Sequence, residues 1–216
     1  MNIITRKPHV TPYLETKLDQ EIIDYLWRLI KIAGMVIINN KKKLAGNISK
    51  SFLLKDVDDF FLKSVCFPLI KHFRDNNFGN DPDSLKLSLD DGTRTSFVLN
   101  SLWVNYQYKN EFNPYHDHGA VYSFAIWLKI PYNSIEQQKL KVFNDMDDKN
   151  KKAGDFEFEY HDSLGGIKNI SYKLSSNFEG TMLFFPAKLR HCVYPFYLTE
   201  EPRISIAGNL NFVLLD

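Results

Sequence analysis

The chain has 216 residues, 44% of them hydrophobic and 14% aromatic, enough for one domain with a substantial core and too apolar for a disordered segment. Its formal net charge is +1 and its pI is near 7.7, so no global field directs it to nucleic acid or to an anionic membrane. No apolar run is long enough to span a bilayer, Met1 to Arg6 lack the apolar stretch of a signal peptide, and Cys66 and Cys192 stand far apart in apolar surroundings, which together suit a cytoplasmic protein with two buried thiols.

In chain order, Leu18, Ile22, Leu26, Leu29 and Ala33 recur every three or four residues, which predicts an amphipathic helix with Thr16 and Asp19 at its start and Gly34 as its stop. Met35 to Ile38 read as a short strand, and Asn39 to Lys43 as a solvated loop. A second helical pattern runs through Phe61, Leu62, Val65, Cys66, Leu69, Ile70 and Phe73. It follows an acidic start at Asp58 and Asp59, carries a kinking Pro68, and places His72 near its end in a structural role. Residues Asn76 to Gly92 are rich in Asn, Asp, Gly, Pro and Ser and predict a long surface loop.

Beyond that loop the period changes from helical to extended. Phe97 to Tyr108 and Val121 to Ile130 are dense in branched and aromatic residues and predict strands. Phe156 to Tyr160 alternate strictly and pair in a hairpin with Ile167 to Leu174, after a polar loop at Asp145 to Gly154. Thr181 to Phe185 and Ile204 to Leu214 complete the strands, with Leu189 to Tyr194 between them. The fold class expected is α+β, mainly β: residues 1–216 as one domain, residues 1–94 as helical support and loop, and residues 95–216 as a β-sandwich or barrel core carrying the site.

The chemistry concentrates at Asn113, Pro114, Tyr115, His116, Asp117, His118 and Gly119. Two histidines two apart on an extended segment point both imidazoles to one face, and that is a metal-ligand spacing; the same alternation turns Asp117 away, leaving it as the alternative ligand. His191 follows the apolar run 181–186 and supplies a third imidazole. Arg203, on a strand of buried character, needs an anionic partner, and Glu200 or Glu201 are the structural candidates for it. Tyr108, Tyr115 and Asn105 are near enough to His116 in sequence to line a pocket. Trp103, Trp127 and Tyr122 read as core, and His9 and His161 receive no role.

Taken together, His116-x-His118, His191 after Gly180 to Pro186, and Arg203-x-Ser205 resemble the iron(II)/2-oxoglutarate-dependent oxygenases. Trp103-x-Asn105, the run from Asn113 to Ser123 and the run from Arg203 to Asn209 are similar to a group of such oxygenases common in phages and marine microbes, over roughly residues 95–216. The resemblance implies a double-stranded β-helix, or jelly roll, with Fe(II) held by the proximal pair and the distal histidine. It further implies that Arg203 binds the distal carboxylate of 2-oxoglutarate, with Ser205 adding a hydroxyl and Asn105 and Tyr108 beside them. Most of that superfamily carries an acid where this chain has His118. A three-histidine zinc hydratase or hydrolase, and a non-catalytic β-barrel, are the competing readings; neither requires Arg203-x-Ser205. No stretch reads as a nucleic-acid, carbohydrate or peptide recognition motif, so the substrate, small molecule or protein, and the oligomeric state stay open.

Overall fold

The computed structural model describes residues 11–35, 45–77, 94–162 and 164–215. Residues 36–38 of the strand expected at Met35 to Ile38, the lysine loop after it, most of the loop expected at Asn76 to Gly92, and His9 fall outside these spans; Met35 itself closes a turn after the first helix. Strand β1 (Leu14–Lys17) leads into helix α1 (Gln20–Ala33), which buries Tyr25, Leu26, Leu29, Ile30 and Ala33 at helical spacing. Thr16 therefore belongs to a strand rather than to a helix cap. After α1 come β2 (Lys50–Leu53), helix α2 (Phe67–Asn77) and the long β3 (Arg94–Gln107).

The turn before α2 is π-helical at Leu62–Cys66. Pro68 lacks the N–H that would close an α-helical bond to the preceding turn, and the wider turn accommodates that lack where a kink was expected. The start of this helical stretch is also capped differently from expectation. Asp58 and Asp59 sit at positive φ, and it is the Asp56 carboxylate that accepts the N–H groups of Phe61 and Leu62, both at 2.9 Å, and the Tyr25 hydroxyl at 2.6 Å. His72 is exposed, as its place on the outer face of α2 requires.

The remaining strands are β4 (Asn113–His116), β5 (Tyr122–Lys129), β6 (Phe156–His161), β7 (Ile167–Tyr172), β8 (Thr181–Pro186), β9 (Arg190–Val193) and β10 (Arg203–Leu215), with a short helix α3 (Ser134–Gln137) after β5. They form two antiparallel sheets. Six strands run in the order β1, β8, β5, β10, β3, β2, and four in the order β4, β9, β6, β7. The hairpin of β6 and β7 is present as expected, Phe156 opposite Tyr172 and His161 opposite Ile167. Strands β1 and β2 join the larger sheet, so the amino-terminal third supplies strands to it as well as helices.

Alternation sorts the larger sheet into two faces. Leu102, Val104, Ile126, Phe184, Ile204, Ile206 and Leu210 pack with α1 and α2 in one core. Trp127, Leu183 and Phe185 turn the other way and pack with Phe156 and Phe158 of the smaller sheet and with Leu189 just before β9. The result is three layers, helices on the six-stranded sheet on the four-stranded sheet, in an open jelly roll rather than a closed barrel. One residue on β10 is fixed by close approach. A Cβ on Gly208 would lie 2.3 Å from Phe124 Cζ and 2.9 Å from the Ser101 carbonyl oxygen, so the buried Phe124 ring would have to shift. Gly208→Ala should therefore cost roughly 1–3 kcal/mol, the usual toll of overpacking, read as a lower urea midpoint at unchanged m-value.

Candidate metal and anion site

Between the two sheets lies a cavity of about 320 Å³. Its floor is the inward face of the larger sheet, Ser101, Trp103 and Asn105 on β3, Ala125 and Trp127 on β5, and Arg203, Ser205, Ala207 and Asn209 on β10. These are odd-numbered positions on each strand, and they meet because β10 pairs with both neighbours in register, Ser205 opposite Asn105 and Trp127, Ala207 opposite Trp103 and Ala125. The smaller sheet closes the cavity with His116, His191, Phe156 and Val193.

The three histidines converge. His116 and His191 are register partners on β4 and β9, and His118 follows as β4 ends, its backbone N–H donating to the Ala187 carbonyl at 2.9 Å. The ladder pairing stops at His116, and Asp117 and His118 continue beyond it without strand pairing. The imidazoles still meet, with ring centroids 4.3 to 5.1 Å apart and one nitrogen from each within 4.8 Å of the others. Asp117 points off to the rim and pairs with Lys188 Nζ at 3.0 Å. His116 Nδ1 lies 2.8 Å from the Pro114 carbonyl and His191 Nδ1 lies 3.0 Å from that of Leu189; a carbonyl only accepts, so each Nδ1 carries the proton and each Nε2 keeps its lone pair. Burial lowers all three pKa values, that of His118 to about 4 and that of His191 to about 3. Three neutral imidazoles with free nitrogens facing one point are a donor set suited to a divalent transition metal.

Arg203 lies at the other end of this floor. It is only 2% exposed, and its guanidinium donates to the Tyr132 hydroxyl at 2.7 Å and to Gln107 Oε1, both neutral. Neither expected acid is near. Glu200 pairs with Lys109 and Glu201 with Lys129, which corrects the structural alternative for Arg203. Six buried side-chain polar atoms among the described residues have no partner, and four of them belong to this cavity: Arg203 Nε, Trp103 Nε1, Asn105 Oδ1 and Asn113 Oδ1. Folded proteins leave few such atoms, so their concentration marks the space of a polar ligand. A dicarboxylate meets the guanidinium's part of that demand, since it offers acceptor oxygens to the partnerless Arg203 Nε.

Of the residues singled out from the sequence, His116, His118, His191, Arg203, Ser205 and Asn105 line the cavity. Tyr108 does not. It lies just past the end of β3, and its backbone N–H donates to Glu111 Oε2 at 2.8 Å. Tyr115 leaves on the opposite face from His116, as alternation demands. Trp103 and Trp127, read as core, are buried and also line the cavity. Gln107 and Tyr132 escaped the sequence reading. Gln107 continues the alternating series of Trp103 and Asn105, whereas Tyr132 lies past Pro131 with no signal to mark it.

The run between residues 101 and 209, just over half of the chain, matches the family model described as "Putative 2OG-Fe(II) oxygenase". The chain belongs to that family of 2-oxoglutarate- and iron(II)-dependent oxygenases, and the family implies Fe(II) and 2-oxoglutarate as its cofactor and co-substrate. Among solved structures it is similar to a prolyl-4-hydroxylase from Pseudomonas putida (11% identity, TM-score 0.55, 93% of this chain and 92% of that one). It is also similar to a prolyl hydroxylase from Trichoplax adhaerens complexed with a hypoxia inducible factor peptide fragment (13%, 0.52, 94% and 83%) and to the viral collagen prolyl hydroxylase of Paramecium bursaria Chlorella virus-1 in its 2OG complex (13%, 0.50, 92% and 94%). At these identities the likeness establishes the jelly-roll fold. No curated protein matches the chain.

Behind the histidines, on the outer face of the smaller sheet, the fully buried Glu157 takes hydrogen bonds from Tyr115 of β4, Asn169 and Ser171 of β7, and Tyr194, with Lys152 Nζ at 2.7 Å. Burial alone would raise this carboxyl; the donors from Lys152, Ser171, Tyr115 and Asn169 outweigh it and hold the pKa at about 2, below its usual 4.5. A depressed carboxyl stabilises the fold above the unfolded-state pKa, and that stability is lost as pH falls from about 4.5 toward 2. The shift is worth on the order of 3 kcal/mol. Urea unfolding of the metal-free protein and of Glu157→Gln should therefore show a gap at pH 7 that narrows steadily below pH 4.5; a gap independent of pH would remove Glu157 from this role.

Proposed function

We propose that the chain is a 2-oxoglutarate-dependent hydroxylase whose metal is held by His116, His118 and His191, and whose co-substrate lies between them and Arg203. The observation that carries this reading is the buried Arg203, which has only neutral partners and faces the same cavity as three convergent imidazoles. When bound, iron(II) and 2-oxoglutarate supply oxidative decarboxylation of the keto acid to succinate, coupled to oxygen insertion into the substrate. The residues of the chain bind and orient. Arg203 fixes the distal carboxylate with its planar fork, and Gln107 and Tyr132 hold that fork in place by accepting its other N–H groups. Ser205 and Asn105 stand one register step along the floor and offer a hydroxyl and an amide to the same ligand. The Pro114 and Leu189 carbonyls set the tautomers of His116 and His191. The apolar walls, Trp127, Phe156 and Phe185, exclude water from the space between metal and carboxylate, which strengthens every charged contact within it.

A three-histidine zinc hydratase would leave the buried Arg203, with its neutral partners and free Nε, without a purpose. We read residues 1–216 as one domain, because β1 and β2 from the first third are strands of the sheet that carries the site. No helix among the described residues is long and apolar enough to cross a membrane, and Cys66 and Cys192 are both buried free thiols. Those thiols suit the reducing cytoplasm as the working compartment.

Two expected outcomes test the reading. Arg203→Ala removes a charge-assisted contact of about 2–3 kcal/mol and should weaken 2-oxoglutarate binding roughly fifty-fold in calorimetric titrations with manganese(II) present, with Arg203→Lys recovering part; equal affinity in wild type and Arg203→Ala would contradict the assignment. Elemental analysis should find metal lost from His116→Ala, His118→Ala and His191→Ala, and retained in Asp117→Ala with at most about a ten-fold loss of affinity. Metal lost from Asp117→Ala but kept in His118→Ala would make the acid the ligand.

A further inference from the structure

The charges around the cavity do not balance. Its lining contains one acid, Asp117, which sits at the rim with its side chain 41% exposed and is neutralised by Lys188. The other ionised group of the lining is Arg203, buried among neutral partners. On the ligand reading given above, the divalent metal and Arg203 bring three positive charges, three neutral imidazoles bring none, and the 2-oxoglutarate dianion removes two. One positive charge remains in a site walled by Trp127, Phe156 and Phe185. With a carboxylate in place of His118 the count would close at zero. A buried charge without a counter-charge is costly, so the site favours a further anion.

Two donors mark where such an anion would sit. The Trp103 indole N–H, a donor with no acceptor, is buried beside His118, ring centroids 6.1 Å apart. Farther along the floor, Asn209 Oδ1 already accepts from the Ser123 hydroxyl at 2.7 Å, which leaves its amide N–H groups as what it offers to the cavity. We propose that the site is built for a substrate carrying an anionic group, a carboxylate or a phosphate, which binds beside the metal against Trp103 and supplies the charge that His118 does not. This inference rests on the three-histidine reading and narrows the substrate class within it.

The test uses the full chain loaded with cobalt(II) and saturated with 2-oxoglutarate. Sodium formate, sodium acetate and inorganic phosphate are titrated separately while the visible cobalt spectrum and calorimetric heat are followed. Formate and acetate perturbing the spectrum where phosphate does not identifies a carboxylate; the reverse identifies a phosphate. Either anion should bind at least ten-fold more weakly to His118→Asp, which restores the missing charge, and several-fold more weakly to Trp103→Phe, which keeps the ring packing and removes the N–H. Should His118→Asp fail to load cobalt, the Trp103→Phe comparison decides alone. Anion binding of equal strength in wild type and the loaded variants, or no anion binding to the cobalt and 2-oxoglutarate complex, overturns the proposal and leaves the oxygenase reading intact. Failure of the wild type to take up cobalt and 2-oxoglutarate at all overturns both, and is seen before any anion is added.

Discussion

The alternation of β10, clasped between β3 and β5, is the constraint on which the rest of the molecule depends. Its even positions, Ile204, Ile206 and Leu210, are committed to the helical core, and Gly208 is pinned beneath the Phe124 ring. Its odd positions, Arg203, Ser205, Ala207 and Asn209, are thereby forced into the space between the sheets. A slip of one residue would bury the guanidinium among aliphatic side chains and expose the core, an error of many kcal/mol. Register on this strand is therefore fixed by packing on one face, and the other face inherits a precise order of functional groups.

The smaller sheet solves a different problem. Strand β4 pairs with β9 at Asn113 and His116 with an irregularity between them, so the ladder alone is a weak hold on His116. The hold comes from the reverse face, where Tyr115 reaches Glu157 and, through it, Asn169, Ser171, Tyr194 and Lys152. Two polar systems thus lie back to back across one sheet. The outer one is satisfied within the protein and keeps its carboxylate ionised; the inner one retains donors and acceptors that no protein group satisfies.

The sequence made the long strands and the two longer helices, α1 and α2, readable, because β3, β5, β8 and β10 combine branched and aromatic residues over runs where alternation has time to show, and α1 repeats at helical spacing. Strands β1 and β2 are four residues each and are not separable from loop on such evidence. Acidic residues at Asp58 and Asp59 mark the start of the second helix in the sequence, but capping follows the carboxylate that reaches the free N–H groups, and that is Asp56. The metal cluster was legible for a similar reason of spacing, and it survives even though β4 ends at His116, since the Ala187 carbonyl draws His118 back toward its partners. Tyr132 and the pairing of Glu200 and Glu201 with lysines were not legible, because they depend on how loops return to the sheet. Tyr108 shows the limit of proximity in sequence: it stands one residue beyond Gln107, past the end of β3 and outside the cavity.

The central claim is that the metal sees three imidazoles and no protein carboxylate. Extended X-ray absorption fine structure at the iron edge of the wild-type protein, reconstituted with iron(II) before and after 2-oxoglutarate is added, reads that inner sphere directly. The account predicts the multiple-scattering pattern of three imidazoles in both states; a pattern of two imidazoles with a protein carboxylate oxygen, present before 2-oxoglutarate is added, would contradict it.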